Sequence, residues 1–222
     1  MNTLESKNIN LLIDFDSTII KDESLELLAE ISVQNPDDKI KIANITNDAM
    51  NGKIGFSEAL EKRVSLLKSK KEQLKDIITI IEKKLTDSFI QNKDFFKENS
   101  SNCYIVSGGF TEIIYPILKP FNISKKNIFA NTFLYDKNDN IISVDPNNIL
   151  SQDKGKVEIA KNILGQNIII GDGYTDYEVK KFGYAKKFIQ FSENINRPIL
   201  NSLSDYIAYS FSDVINYIEK NF

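Results

Sequence analysis

Histidine is absent from all 222 residues of the chain. Its absence removes imidazole general bases, serine–histidine–aspartate triads and every histidine-ligated metal site. The single cysteine, Cys103, excludes an internal disulfide and a cysteine zinc cluster. It sits in an apolar, strand-like run, where core packing is expected. No hydrophobic run approaches the roughly 18 residues of a membrane span, and the leading MNTLESKNIN carries no apolar signal segment. A net charge of −3 leaves no basic footprint for nucleic acid. A soluble, cytoplasmic monomer or homodimer with no nucleic-acid or membrane partner is therefore expected. Chemistry is left to carboxylates, lysine, arginine, hydroxyls, backbone amides and a hard metal ion.

A hydrophobic content of 41% suffices for one large domain, or for a core with a small accessory domain. NLLIDFDSTII (10–20) opens as a strand buried on both faces and then places two carboxylates, Asp14 and Asp16, at its end. NCYIVSGG (102–109) and NIIIGDG (167–173) are similar runs that stop at glycines, and KKFIQF (186–191) is a weaker fourth. Amphipathic stretches such as 111–121 and 154–164 separate them, which predicts an α/β fold with a doubly wound parallel sheet. Residues 128–145 alternate around an Asn/Asp turn and predict a small β-hairpin. Residues 21–84 carry helical periodicity without a convincing strand. They predict a helical cap inserted after the first strand, with residues 1–20 and 85–222 forming the core. A plain crossover would need only one helix.

In an open α/β sheet, ligands bind beyond the carboxyl ends of the strands. Those ends here carry DFDST (Asp14, Asp16, Thr18), SGGF (Ser107, Gly108, Gly109) and GDGYTD (Asp172, Thr175, Asp176). Asp14, Asp16 and Asp172 converging on one point require a cation, and oxygen-only ligation suits Mg²⁺ beside a phosphate. Lys154, at a helix start eighteen residues before Asp172, adds positive charge for an anionic substrate. Ser107 and the Gly108 amide can donate to phosphate oxygens. Each motif alone also reads as an acidic turn, a glycine turn or a solvated lysine. Together, in this order and each at a strand end, they describe phosphoryl transfer to a carboxylate.

The set DFDST, SGG, Lys154 and GDGYTD resembles the haloacid dehalogenase superfamily of phosphatases over almost the whole chain. The resemblance implies a Rossmann-like core, Asp14 as nucleophile forming an aspartyl-phosphate, and Asp16 as general acid and base. It further implies that Ser107 and Lys154 hold the phosphoryl group. Mg²⁺ would be bound by the Asp14 carboxylate, the Asp16 carbonyl and Asp172, with Asp176 nearby. KGK offers Lys156 as well, but the family pattern aligns with Lys154.

Glu23 and the segment MNGKIGFSEALEKRVSLLK (50–68) resemble phosphoserine phosphatases within that superfamily. The resemblance places Glu23 on a substrate ammonium and Arg63 on its carboxylate, with Met50 and Phe56 as apolar walls and Thr175 near the substrate. One anion and one fork-shaped cation suit a zwitterionic amino-acid end. Taken singly, Glu23 also reads as a first-turn glutamate favoured by the helix dipole, and Arg63 as a surface helix residue. Tyr174 stands where many phosphoserine phosphatases carry alanine, and Tyr177 adds a second ring close by. Feedback through a regulatory domain beyond core and cap is not expected. The expected activity is Mg²⁺-dependent hydrolysis of a small phosphorylated amino acid, O-phosphoserine foremost. The alternatives are a phosphatase or phosphotransferase for another small metabolite, and a phospho-acceptor signalling domain. The second Asp of DFD counts against the last, since a phospho-acceptor needs no acid/base for turnover.

Overall fold

The structure, a computed structural model, describes residues 4–51 and 53–222; the side chain of Met50, one of the expected apolar walls, lies outside the described residues. The five residues of β1 (Ile9–Ile13) are all buried, as their unbroken apolar run requires. Four helices follow: α1 (Ser24–Ser32), α2 (Pro36–Met50), α3 (Phe56–Leu66) and α4 (Gln73–Glu82). Short helices α5 (Asp87–Gln91) and α6 (Lys93–Glu98) lead into β2 (Cys103–Phe110) and α7 (Thr111–Leu118). Then come β3 (Ile128–Asn131), β4 (Phe133–Tyr135), β5 (Ile141–Val144) and α8 (Gly155–Ala160). The chain ends with β6 (Gln166–Gly171), α9 (Tyr174–Lys181), β7 (Lys187–Phe191), β8 (Tyr206–Ala208) and α10 (Phe211–Asn221).

Six strands form one parallel sheet in the order β3-β2-β1-β6-β7-β8. Alternation along each strand divides the core between two faces. Leu11, Ile13, Ile105, Ile168 and Ile170 pack with Ile113, Phe211 and Val214 of α7 and α10. Leu12, Val106, Ile169 and Phe188 pack with Val157 of α8 and Val179 of α9. The sheet is thus doubly wound, and the strand order reverses direction beside β1, where such folds open a crevice. Residues 128–145 are more than the hairpin their alternation predicts. β3 joins the main sheet beside β2, and only β4 and β5 form the separate antiparallel pair.

Helices α1 to α4 occupy residues 24–82, inside the stretch expected to be helical. The chain leaves and returns through an antiparallel bridge between Ile20 and Leu85. Lys21 N donates to Lys84 O and Thr86 N to Ile19 O, each at 2.9 Å. The apolar side of these helices, including Leu28, Leu60, Val64, Ile77 and Ile81, is continuous with the sheet's own core. The hairpin touches the same helical segment, because Ile141 N donates to Ser69 O at 2.8 Å.

Candidate active site

Register decides which side chains meet. Ile13 lies level with Ile105 on one neighbour and Ile170 on the other. Asp14, Ser107 and Asp172, one or two residues further on, therefore leave the sheet at the same edge. Asp14 is 3% exposed; its Oδ1 accepts from Phe15 N at 2.7 Å. Carboxylate oxygens of Asp14, Asp172 and Asp176 lie within 4.8 Å of one another, and all three residues are buried. The Asp16 carboxylate stands apart from that cluster. Its Oδ1 accepts from Ser24 N at 2.9 Å, at the start of α1. Burial, and then the Asp14 charge, push the Asp16 pKa up from 3.8 to about 7.

The lysine in this cluster is Lys156, not Lys154. Lys156 Nζ lies 2.8 Å from Asp14 Oδ2 and 2.7 Å from Asp176 Oδ1. Burial works against its charge, but Asp14 and Asp176 outweigh burial and hold the ammonium above the ordinary lysine range. Lys154 precedes α8 in a left-handed conformation, and its Nζ sits 4.9 Å from the centre of the exposed Phe182 ring. Helix phase explains the exchange. Lys156 shares a face with buried Ala160 and Ile163, whereas Lys154 is exposed and falls in phase with Glu158 and Lys161. Gly155 permits the turn between them, because any side chain there would collide with the backbone of Ile149 and Leu150.

Asp176 accepts from Lys156 through one oxygen and from Gly173 N, at 3.1 Å, through the other. Burial lifts its pKa to about 7 as well. The Asp172 pKa is also raised, burial outweighing the neighbouring Arg197. Ser107 is fully buried, and its Oγ accepts from Gly109 N at 3.0 Å. The helical segment closes the site from above. A pocket is lined by Asp14, Asp16, Ser107, Gly108, Lys156 and Thr175 from the sheet side, and by Glu23, Leu25, Phe56 and Arg63 from the other. Glu23 accepts from Ser17 Oγ at 2.7 Å. Burial, followed by the charges of Asp16 and Asp172, raises its pKa well above the usual range. Arg63 is 4% exposed, and its Nη1 donates to Thr46 Oγ1 at 3.2 Å.

Residues 11–180 match the haloacid dehalogenase-like hydrolase family. The chain belongs to that family. Among curated relatives, the phosphoserine phosphatase of Drosophila melanogaster is 30% identical over 91% of this chain and 75% of its own length. The human phosphoserine phosphatase is 27% identical over 93% of this chain and 92% of its own. Among solved structures, a phosphoserine phosphohydrolase-like protein from Francisella tularensis superposes with a TM-score of 0.85 at 34% identity, covering 94% of this chain and 99% of that one. A phosphoserine phosphatase carrying a phospho-aspartyl intermediate analogue superposes at 0.76 with 25% identity, covering 95% and 98%. Among the described residues of this hydrolase, no helix is long and apolar enough to cross a membrane.

Sequence reading missed Arg197, whose Nε donates to Asp172 Oδ2 at 2.8 Å. A signal existed in the composition: the chain has only two arginines among 28 basic residues, Arg63 and Arg197, and both are buried here. Asp153 was missed too. Its Oδ1 accepts from Ser57 N at 2.9 Å and so ties the lysine loop to the first turn of α3. Tyr174 lies on the outer groove with Ala49, Ile54 and Phe56, rather than in the inner pocket.

Proposed function

We propose that this hydrolase releases L-serine and inorganic phosphate from O-phosphoserine, through a phosphoryl group carried on Asp14. The observation behind this reading is one pocket that joins two halves. Asp14 paired to Lys156 forms the reacting half, and Glu23 with Arg63 forms a half that offers a carboxyl group to an ammonium and a guanidinium to a carboxylate. In the first step an Asp14 oxygen bonds to phosphorus as the bond from phosphorus to the serine oxygen breaks. Asp16, whose pKa of about 7 lets it keep its proton near neutrality, gives that proton to the departing oxygen. In the second step Asp16 takes a proton from the water that attacks the aspartyl-phosphate, releasing phosphate and restoring Asp14. Ser107, the Gly108 amide and Lys156 hold the phosphoryl oxygens. Helices α1 to α4 act as a cap domain, with boundaries near residues 21 and 84.

The carboxylates of Asp14, Asp172 and Asp176 fit a hard divalent cation, and Asp172 Oδ1 is a buried oxygen with no hydrogen-bond partner. These residues, with the Asp16 carbonyl, would hold Mg²⁺, which when bound neutralises charge on the phosphoryl group. Phosphate release from O-phosphoserine, phosphothreonine, phosphohomoserine and phosphoethanolamine tests the substrate assignment. O-Phosphoserine is expected to give the highest kcat/KM and phosphoethanolamine, which lacks the carboxylate, a strongly reduced one. Equal rates on both would refute a carboxylate site at Arg63.

A further inference from the structure

The carboxylates of Asp14, Asp172 and Asp176 differ in what their oxygens already do. Both oxygens of Asp14 are engaged, one by Phe15 N and one by Lys156. Both oxygens of Asp176 are engaged, by Lys156 and Gly173 N. Asp172 is asymmetric: Oδ2 is taken by Arg197 Nε at 2.8 Å, while Oδ1 is buried and unpartnered. Arg197 itself is fixed. It is 5% exposed, and its carbonyl accepts from Gln190 Nε2 at 3.1 Å, on a β7 residue that is fully buried.

We propose that Arg197 is a positioning residue that makes Asp172 a one-oxygen ligand and thereby selects Mg²⁺ over Ca²⁺. This inference rests on the cation site proposed above. A carboxylate that ligates through both oxygens must bring the cation close to each of them. On Asp172 the second oxygen faces a guanidinium, so two-oxygen ligation would press a divalent cation against a fixed positive charge. Mg²⁺ keeps an octahedral shell and takes carboxylates through single oxygens, whereas Ca²⁺ reaches its higher coordination by accepting both. The guanidinium therefore costs Ca²⁺ a ligand atom that Mg²⁺ does not use. Lysine in its place would keep the charge, and glutamine would remove it.

The test is direct cation binding to the intact protein without substrate. Mg²⁺ and Ca²⁺ dissociation constants are measured by competition with Mn²⁺, whose signal reports occupancy. Partners behind metal ligands alter affinity by about 10- to 100-fold when replaced, and Arg197→Gln is expected to shift the Ca²⁺/Mg²⁺ affinity ratio toward Ca²⁺ by about tenfold or more. Arg197→Lys is expected to keep a ratio near that of the parent. Gln190→Met, which frees the Arg197 backbone while leaving its charge, is expected to shift the ratio in the same direction by less, and serves if Arg197→Gln fails to fold. A ratio unchanged in Arg197→Gln, or in Gln190→Met where only that variant folds, would overturn the proposal even if both affinities fell together, since a purely structural residue would weaken both ions alike. Failure of the parent protein to bind Mn²⁺ at all would overturn the cation site itself, and this proposal with it.

Discussion

In the proposed reaction Asp14 attacks as an anion, yet it is 3% exposed and clustered with the carboxylates of Asp172 and Asp176. Lys156 is the compensating charge, bound to Asp14 and Asp176 at once. Loss of one preorganised charge at a phosphoryl site costs roughly 10²–10³-fold in kcat, so Lys156→Met is expected to lose about that much. Lys154→Met removes a solvated charge and is expected to stay near parental kcat, a comparison steady-state phosphate release makes directly. Asp16 gives a pH signature. With a pKa of about 7 its acid form dominates below neutrality, so kcat/KM on O-phosphoserine is expected to fall as pH rises past about 7. That limb should vanish in Asp16→Asn and be weak for p-nitrophenyl phosphate, whose leaving group needs no proton. A parental limb in Asp16→Asn would assign the titration elsewhere. At this scale the sequence was legible wherever a residue type has one reason to sit at a strand end, as with Asp14 and Asp172. It was not legible for Lys156, because two lysines flank one glycine and only the buried phase of Ala160 and Ile163 separates them.

The elements show why the site closes where it does. Phe56 begins α3, and its ring lies against Gly108 at the end of β2, where a Cβ would meet ring carbons at 2.6 and 2.8 Å. Asp153 holds the next residue, Ser57, by its amide. Strand end, lysine loop and α3 are thus seated together, with Arg63 carried on the last turn of the same helix. Gly108→Ala keeps the backbone donor but pushes α3 away. Overpacking of this kind costs roughly 1–3 kcal/mol, about 5- to 150-fold in kcat/KM on O-phosphoserine if the closed site bears all of it. Adding Phe56→Leu to Gly108→Ala should recover part of the loss, and strict additivity in that double variant would remove the contact from the account. The strands β1, β2 and β6 were readable because buried runs ending at Asp or Gly have few other fates. β8 was not: it is three residues long and only its last, Ala208, is buried. β3 was merged with the hairpin because only Thr132 separates it from β4, so no turn signal marks the change of sheet.

For the molecule as a whole, the buried carboxylates are expected to make stability depend on pH and on the proposed cation. Asp16 and Asp176 have folded pKa values of about 7 against an ordinary 3.8. Between those values the folded chain binds more protons than the unfolded one, so metal-free stability falls as pH rises from about 4 to about 7. A divalent cation bound among Asp14, Asp172 and Asp176, as proposed, would oppose that loss. At a hundredfold excess over Kd it stabilises by ~2.7 kcal/mol, roughly 5–10 °C in Tm for a chain of this size. The gain from Mg²⁺ is expected to be larger at pH 8 than at pH 5, where protons compete for the same oxygens, and thermal melts with and without the ion measure it. A Tm gain independent of pH would place the ion elsewhere.

The central claim is that Asp14 carries the phosphoryl group between the two steps. Acid quench of the protein during turnover of radiolabelled O-phosphoserine, followed by peptide mapping, tests it most directly. Label is predicted on Asp14 in the parent protein. In Asp16→Asn it is predicted in greater amount when the donor is radiolabelled p-nitrophenyl phosphate, whose leaving group needs no proton while breakdown of the intermediate is slowed by roughly 10²–10⁴-fold. None is predicted in Asp14→Asn, which should also release no phosphate. Label on another residue, or parental phosphate release by Asp14→Asn, would contradict the account.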